Sequence, residues 1–267
     1  MPIMADHYHN KYHQTDSMLD IIIIFTVLGT FLLAGAVKGI IGLGLPTISL
    51  AMLTLTIGLP NAMALILMPS LITNLWQAMV GGNGRVILRR IWLFLLMASA
   101  FVWLGASALT RIDLEMLSAL LGVLIVIYSL VSLAGWRFKI TTKQETWLGP
   151  LVGSVNGILT GMTGAFVVPG VFYLQTIGLA RDRLIQAMGM LFTVSTLALG
   201  VSLQANNLLT IELGQMSLAA TLPAIVGMAI GQRIRKKLPE QLFRQIFFIS
   251  LLILGGYIFF KAVYGYI

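Results

Sequence analysis

The chain contains no cysteine and little charge, nine acidic and 17 basic residues among 267. Without thiols there is no disulfide, thiolate metal site or redox-active pair. Histidine is scarce as well: His7, His9 and His13 all lie in the first 13 positions. They read as part of a polar tail rather than a metal site. No G-x4-G-K-[ST] stretch and no dinucleotide fingerprint occurs, which argues against a nucleotide-driven pump or a nicotinamide enzyme. No run of charge, proline or serine sets off a soluble module. The expectation is therefore a protein without catalytic residues and without a cofactor.

What is present is apolar. Hydrophobic residues make up 58% of the chain and charged ones only 10%, at a mean hydropathy of +0.94. Soluble domains are roughly half apolar and a quarter charged, so the solvent here is a lipid bilayer. The net charge of +8 could signal nucleic acid. The basic residues instead sit in short clusters between apolar runs, as cytoplasmic loops do, and no nucleic-acid partner is expected.

Ten apolar segments follow one another. A membrane crossing needs about 20 residues, and eight segments approach that length, at 20–43, 61–82, 91–109, 114–135, 147–164, 184–204, 212–231 and 243–264. Two are shorter, at 45–58 and 165–179, each following a glycine-rich helix end, with Pro46 or Pro169 near its start. The fold class expected is all-α and integral to the membrane, with about eight full spans and two short or broken helices. The chain divides into a polar tail (1–19), a first membrane repeat (20–135), a basic linker (136–146) and a second membrane repeat (147–267).

Basic residues orient these segments. If all ten cross, Arg85, Arg89, Arg90, Arg137, Lys139, Lys143, Arg181, Arg183, Arg233, Arg235, Lys236, Lys237 and Arg244 share one face, 13 of the 17. The other face receives Lys11, Arg111 and Lys261. That asymmetry assigns the first face to the cytoplasm and both termini to the periplasm of a bacterial inner membrane. Five crossings per half is an odd number, so the second half starts from the opposite side, and a repeat between the halves has inverted topology.

Such a repeat is visible. Gly35, Gly39 and Gly42 recur 122 positions later as Gly157, Gly161 and Gly164, and Thr56-Ile57-Gly58-Leu59 recurs as Thr176-Ile177-Gly178-Leu179. Small residues at this spacing also serve helix packing, and both readings stay open. Gly122 and Gly200 stand in ordinary spans.

The stretches Gly35 to Pro46 (GAVKGIIGLGLP) and Val155 to Gly164 (VNGILTGMTG), the latter followed by Val168-Pro169, resemble the TauE/SafE sulfite exporter family, also called the toluene sulfonate uptake permeases. The similarity of layout covers about residues 20–264. Leu43, Leu45, Ala165 and Phe166 stand where the family carries a denser glycine cluster. The resemblance implies a permease, expected to export sulfite, a sulfonate or a related small sulfur or two-carbon anion. An anion channel and a non-transporting assembly or sensor subunit remain alternatives. The sequence leaves oligomeric state open, a homo-oligomer included.

Physical reasoning places the site at the two breaks. Glycine lets a helix end without a Cβ clash, proline suits the first turn of the next helix, and a helix N-terminus offers amides and a positive dipole end to an anion. Lys38 is the one charge deep in an apolar run, 18 residues after Asp20 and 47 before Arg85. It is either functional or a side chain that snorkels to the cytoplasmic face; its repeat counterpart is Thr160. The expected anion-binding set is Lys38, Gly39, Gly42, Gly44, Asn156, Gly161, Thr163 and Gly164. Asn74, Gln77, Gln186, Ser195 and Thr196 read as interhelical hydrogen-bonding groups.

The cysteine-free background makes the orientation testable. A single cysteine at Asn207 is expected to react with an impermeant thiol reagent in intact spheroplasts, and one at Lys236 is not. The reverse pattern would overturn the assignment of faces.

Overall fold

The structure, a computed structural model, describes residues 3–135, 139–235 and 240–266, with side chains described from residue 22 onward and excepting those of 240 and 266. The side chains of the tail histidines, and Arg137, Lys236 and Lys237, lie outside the described residues. All elements within them are helical. They are α1 (Ile3–Ile41), α2 (Leu45–Ile57), α3 (Leu59–Leu65), α4 (Leu67–Met79), α5 (Gly84–Ala106, extended by a 3₁₀ turn), α6 (Leu114–Ala134), α7 (Thr142–Thr163), α8 (Gly170–Thr176), α9 (Arg181–Ala205), α10 (Ile211–Arg235) and α11 (Glu240–Tyr266).

Six helices among the described residues are long and apolar enough to cross a membrane: α1 from Ile22, α5, α6, α9, α10 and α11. The bent pair α3 and α4 makes a seventh. The outer surface is apolar, with Phe25, Trp92, Leu222 and Ile253 all more than half exposed, while Thr30, Ser49, Asn74, Asn156 and Ser195 are buried. Large apolar residues facing outward while polar ones are buried among the core suit lipid rather than water.

The α3–α4 bend of 44° falls inside the expected span 61–82. Its cause is Pro69, which has no amide hydrogen to give the Leu65 carbonyl four residues back. Ser217 of α10 repairs the gap, donating from Oγ to the Leu65 oxygen at 2.9 Å and accepting from the Met68 amide at 3.0 Å. The second short segment also differs from expectation. Helix α8 begins only at Gly170, and residues 164–169 form no helix.

Both motif helices end alike. The Gly42 amide donates to the Lys38 carbonyl at 2.7 Å and the Gly164 amide to the Thr160 carbonyl at 2.7 Å. Each glycine has a positive φ, 87° and 73°, a conformation that only glycine adopts freely.

The glycines upstream let helices touch. A Cβ on Gly35 or Gly39 of α1 would lie 2.1 or 2.2 Å from the carbonyl oxygen of Ala224 or Met228 on α10. On α7, a Cβ at Gly157 or Gly161 would lie 2.5 or 2.2 Å from that of Ala98 or Val102 on α5. The contacts are reciprocal, since Gly231 of α10 sits on Ala36 and Gly105 of α5 sits on Ile158. These four glycines therefore pack helices, the plainer of the two readings left open for the motif. Helices α4 and α9 touch at Ala78 with Gly189 and at Leu67 with Gly200, and the Gln77 and Gln186 side chains donate across the pair to the Ile185 and Ala78 carbonyls. Gly122 is also close-packed, its Cβ position 2.7 Å from the Phe259 amide, which separates it from Gly200.

The start of α5, the first turn of α7 and the end of α8 meet at one end of the molecule. Arg90 donates to Glu145 at 2.5 and 2.9 Å and to the Ile177 carbonyl at 2.7 Å, and the Ile140 amide bonds the Thr176 carbonyl at 3.2 Å. At the opposite end, Lys261 near the end of α11 donates to the Leu55 carbonyl in the last turn of α2 at 3.2 Å.

Alanine at Gly39 or at Gly161 places a methyl within 2.2 Å of a backbone oxygen. Each is expected to lower stability by about 1–3 kcal/mol, as overpacking does. Gly200→Ala, whose methyl would lie 3.7 Å from the Leu67 side chain, is expected to be neutral or stabilising by up to about 1 kcal/mol. Thermal unfolding in detergent measures this; equal behaviour of all three would show that the crossings are slack.

Candidate functional site

Lys38 occupies the last turn of α1, one turn before the Gly42 break. It is 4% exposed and does not snorkel. Its ammonium turns inward to α4, where Nζ donates to Asn74 Oδ1 and, at 3.1 Å, to Thr73 Oγ1. The Thr73 hydroxyl gives its own proton to the Pro69 carbonyl at 2.7 Å, which leaves its lone pairs to accept from the lysine. Asn74 presents its oxygen to Lys38, and its Nδ2 is buried with no partner. All three groups are held by neutral contacts.

A cavity of about 620 Å³ opens beside this cluster. Lys38, Gly39, Gly42 and Thr73 line it, with Gln77 and Trp76 from α4 and Met228, Gln232 and Arg235 from α10. No carboxylate is among its described lining residues. The space where a Gly42 Cβ would stand is empty to 4 Å, so the helix break leaves backbone facing the cavity. Two basic side chains with no described carboxylate between them make a chamber that favours an anion; its one hydroxyl, Thr73, and the Gln77 amide are already engaged. A lone ammonium in the hydrocarbon region is costly, and an anion arriving here supplies the counter-charge that the protein does not.

The remaining expected residues stand elsewhere. Gly44, with φ of 108°, packs on Phe247. Asn156 Oδ1 accepts from the Gly170 amide at 2.9 Å, and so ties α7 to the start of α8. That amide is therefore occupied. Thr163 Oγ1 donates to the Leu159 carbonyl and accepts from the Ala165 amide. Gly161 is covered by Val102 and Ala106, and Gly164 by Met63 and Leu50. The eight residues thus split: Lys38, Gly39 and Gly42 share the cavity, while Gly44, Asn156, Gly161, Thr163 and Gly164 are not among its lining residues.

Sequence reasoning did not assign Gln232 and Arg235 to the site, because they count there only as loop-end residues of α10. The signal available was small-residue spacing: Gly227 and Gly231 repeat every four residues in α10, as the motif glycines do in α1, and a helix so matched to α1 brings its last turn beside Lys38.

The family model described as Sulfite exporter TauE/SafE matches residues 27–258, which takes in both breaks, the cavity and all eight expected residues. No curated protein and no solved structure matches the chain.

Proposed function

The chain belongs to the TauE/SafE sulfite exporter family, and on that premise we propose that it carries a small sulfur or two-carbon oxyanion out of the cytoplasm, loading it at Lys38. Members of this family are membrane transporters. The observation that carries the reading is the inward-turned Lys38 ammonium at the wall of a cavity lined by a second cation and by no described carboxylate. An oxyanion entering it exchanges hydration for charge-assisted hydrogen bonds, each worth about 1.5–3 kcal/mol net.

In this reading the chain makes ten passes in two inverted repeats of five, with the basic end in the cytoplasm of a bacterial cell and both termini in the periplasm. Several features support it. The helix pairings match when the halves are exchanged: α1 with α10 corresponds to α7 with α5, and the α4–α9 and α6–α11 pairs each correspond to themselves. The glycine contacts agree residue by residue, as Ala36 with Gly231 becomes Ile158 with Gly105. The cavity at Gly42 is then the open, cytoplasmic entrance, and the same position in the second half, Gly164 under Met63 and Leu50, is the closed exit. Transport alternates the two.

Purified protein in proteoliposomes is expected to move sulfite or a short sulfonate with saturation, which a channel would not show. Lys38→Met removes the charge at similar length and is expected to lower flux at least tenfold, in line with the loss of one charge-assisted contact, while the protein still inserts. Lys38→Arg keeps the charge with a different shape and is expected to retain part of the flux. Wild-type flux and affinity in Lys38→Met would remove the lysine from the pathway.

A further inference from the structure

The second half contains a buried counterpart of the lysine cluster that no role yet explains. Thr160, Ser195 and Thr196 stand 122 positions after Lys38, Thr73 and Asn74. The contacts that position them correspond as well. Gly231 rests on Ala36, two residues before Lys38, and Gly105 rests on Ile158, two before Thr160; α4 and α9 touch at Ala78–Gly189 and Leu67–Gly200, equal distances along the two helices. All three residues are 2% exposed or less. The Thr160 hydroxyl donates to the Ala165 carbonyl at 3.0 Å, and that of Thr196 to the Phe192 carbonyl at 2.6 Å.

Ser195 is different. Its Oγ is buried and has no hydrogen-bond partner, the situation that a buried hydroxyl ordinarily avoids. Serine could have back-bonded to its own helix, as Thr193 and Thr196 do on either side of it. Phe166 follows directly on Ala165, whose carbonyl accepts from Thr160, and its buried ring lies 6.1 Å from that of Phe192 on α9. The space at Gly42 is open, whereas that at Gly164 is filled by Met63 and Leu50.

We infer that Ser195 forms an exit-side contact for the transported oxyanion, a hydroxyl donor where the entry side uses an ammonium, while Thr160, in the place of Lys38, keeps its proton on the Ala165 carbonyl. The inference rests on the transport reading above. When the outer half opens, the Ser195 hydroxyl gains as its partner an unprotonated oxygen of the anion. A hydroxyl bond to the anion is charge-assisted through its acceptor alone, whereas the ammonium brings a charge of its own as well. The exit contact is accordingly the weaker of the two. The anion is held firmly on the cytoplasmic side and loosely on the outer side. This asymmetry sets the two apparent affinities; the gradients across the membrane set the net direction.

The test uses the full-length protein with sulfite and methanesulfonate as probes. Ser195→Ala is expected to bind both anions in detergent within twofold of the wild type, because the cytoplasmic cavity is intact, yet to lose about tenfold in proteoliposome flux. Ser195→Thr restores the hydroxyl and is expected to recover at least half of that flux. Thr160→Lys supplies the missing charge and is expected to lower the half-saturating anion concentration at the outer face about tenfold. Wild-type flux in Ser195→Ala overturns the exit contact while leaving Lys38 in place. A flux loss that Ser195→Thr fails to rescue, with a matching fall in thermal stability, assigns Ser195 to packing and also overturns it. If the wild-type protein neither binds nor moves either anion, the transport reading fails and this inference falls with it.

Discussion

A helix that stops within a bilayer leaves carbonyl and amide groups with no water to bond, and such a break survives only where protein or a polar cavity surrounds it. The rest of the structure follows from meeting that requirement twice. Each motif helix ends on a positive-φ glycine that closes the last turn on the carbonyl four residues back, Lys38 in one half and Thr160 in the other. Each is then clamped by a helix that approaches to backbone contact, α10 against Gly35 and Gly39, α5 against Gly157 and Gly161. The glycine motif thus does two things in sequence. Its first members admit the clamp, and its last terminates the helix.

The two breaks are built alike and finished differently. Around Gly42 the space is open, a lysine reaches inward, and two uncharged residues of α4 hold it. Around Gly164 the space is filled by Met63 and Leu50, with Phe166 nearby, and a threonine occupies the place of the lysine. The two halves therefore differ in charge, and also in backbone: α2 starts directly after Gly44 and α3–α4 is bent, whereas residues 164–169 form no helix and α9 is continuous. Lys38 is costly to bury and is held without a described acid beside it.

Much of this fold was legible in the sequence because the signals were local. Hydrophobic length located the six candidate spans and the bent pair α3–α4, and the glycine spacing located both helix ends at Gly42 and Gly164. What the sequence concealed depended on distance along the chain. The α3–α4 bend needed Pro69 to be read together with Ser217, 148 positions later. The early start of α7 was signalled by a Thr141 and Gln144 capping box, a polar pattern overlooked in a reading led by hydropathy. Asn74 and Thr73 looked like ordinary interhelical hydrogen-bonders, since nothing local shows that Lys38 turns towards them. Asn156 and Thr163 were chosen by adjacency to a motif and the glycines as part of one, and neither ground distinguishes a glycine facing a cavity, such as Gly42, from one pressed on a carbonyl, such as Gly161.

The central claim is that the chamber beside Lys38 faces the cytoplasm and receives an anion. A single cysteine at Gln232, a residue of the chamber wall, tests both parts in one experiment, because the native chain has no thiol of its own. In inside-out membrane vesicles the account predicts that an impermeant maleimide labels this cysteine, and that methanesulfonate slows the labelling while an uncharged sulfone of similar size does not. Labelling only from the opposite face, or a labelling rate indifferent to the anion, would contradict it.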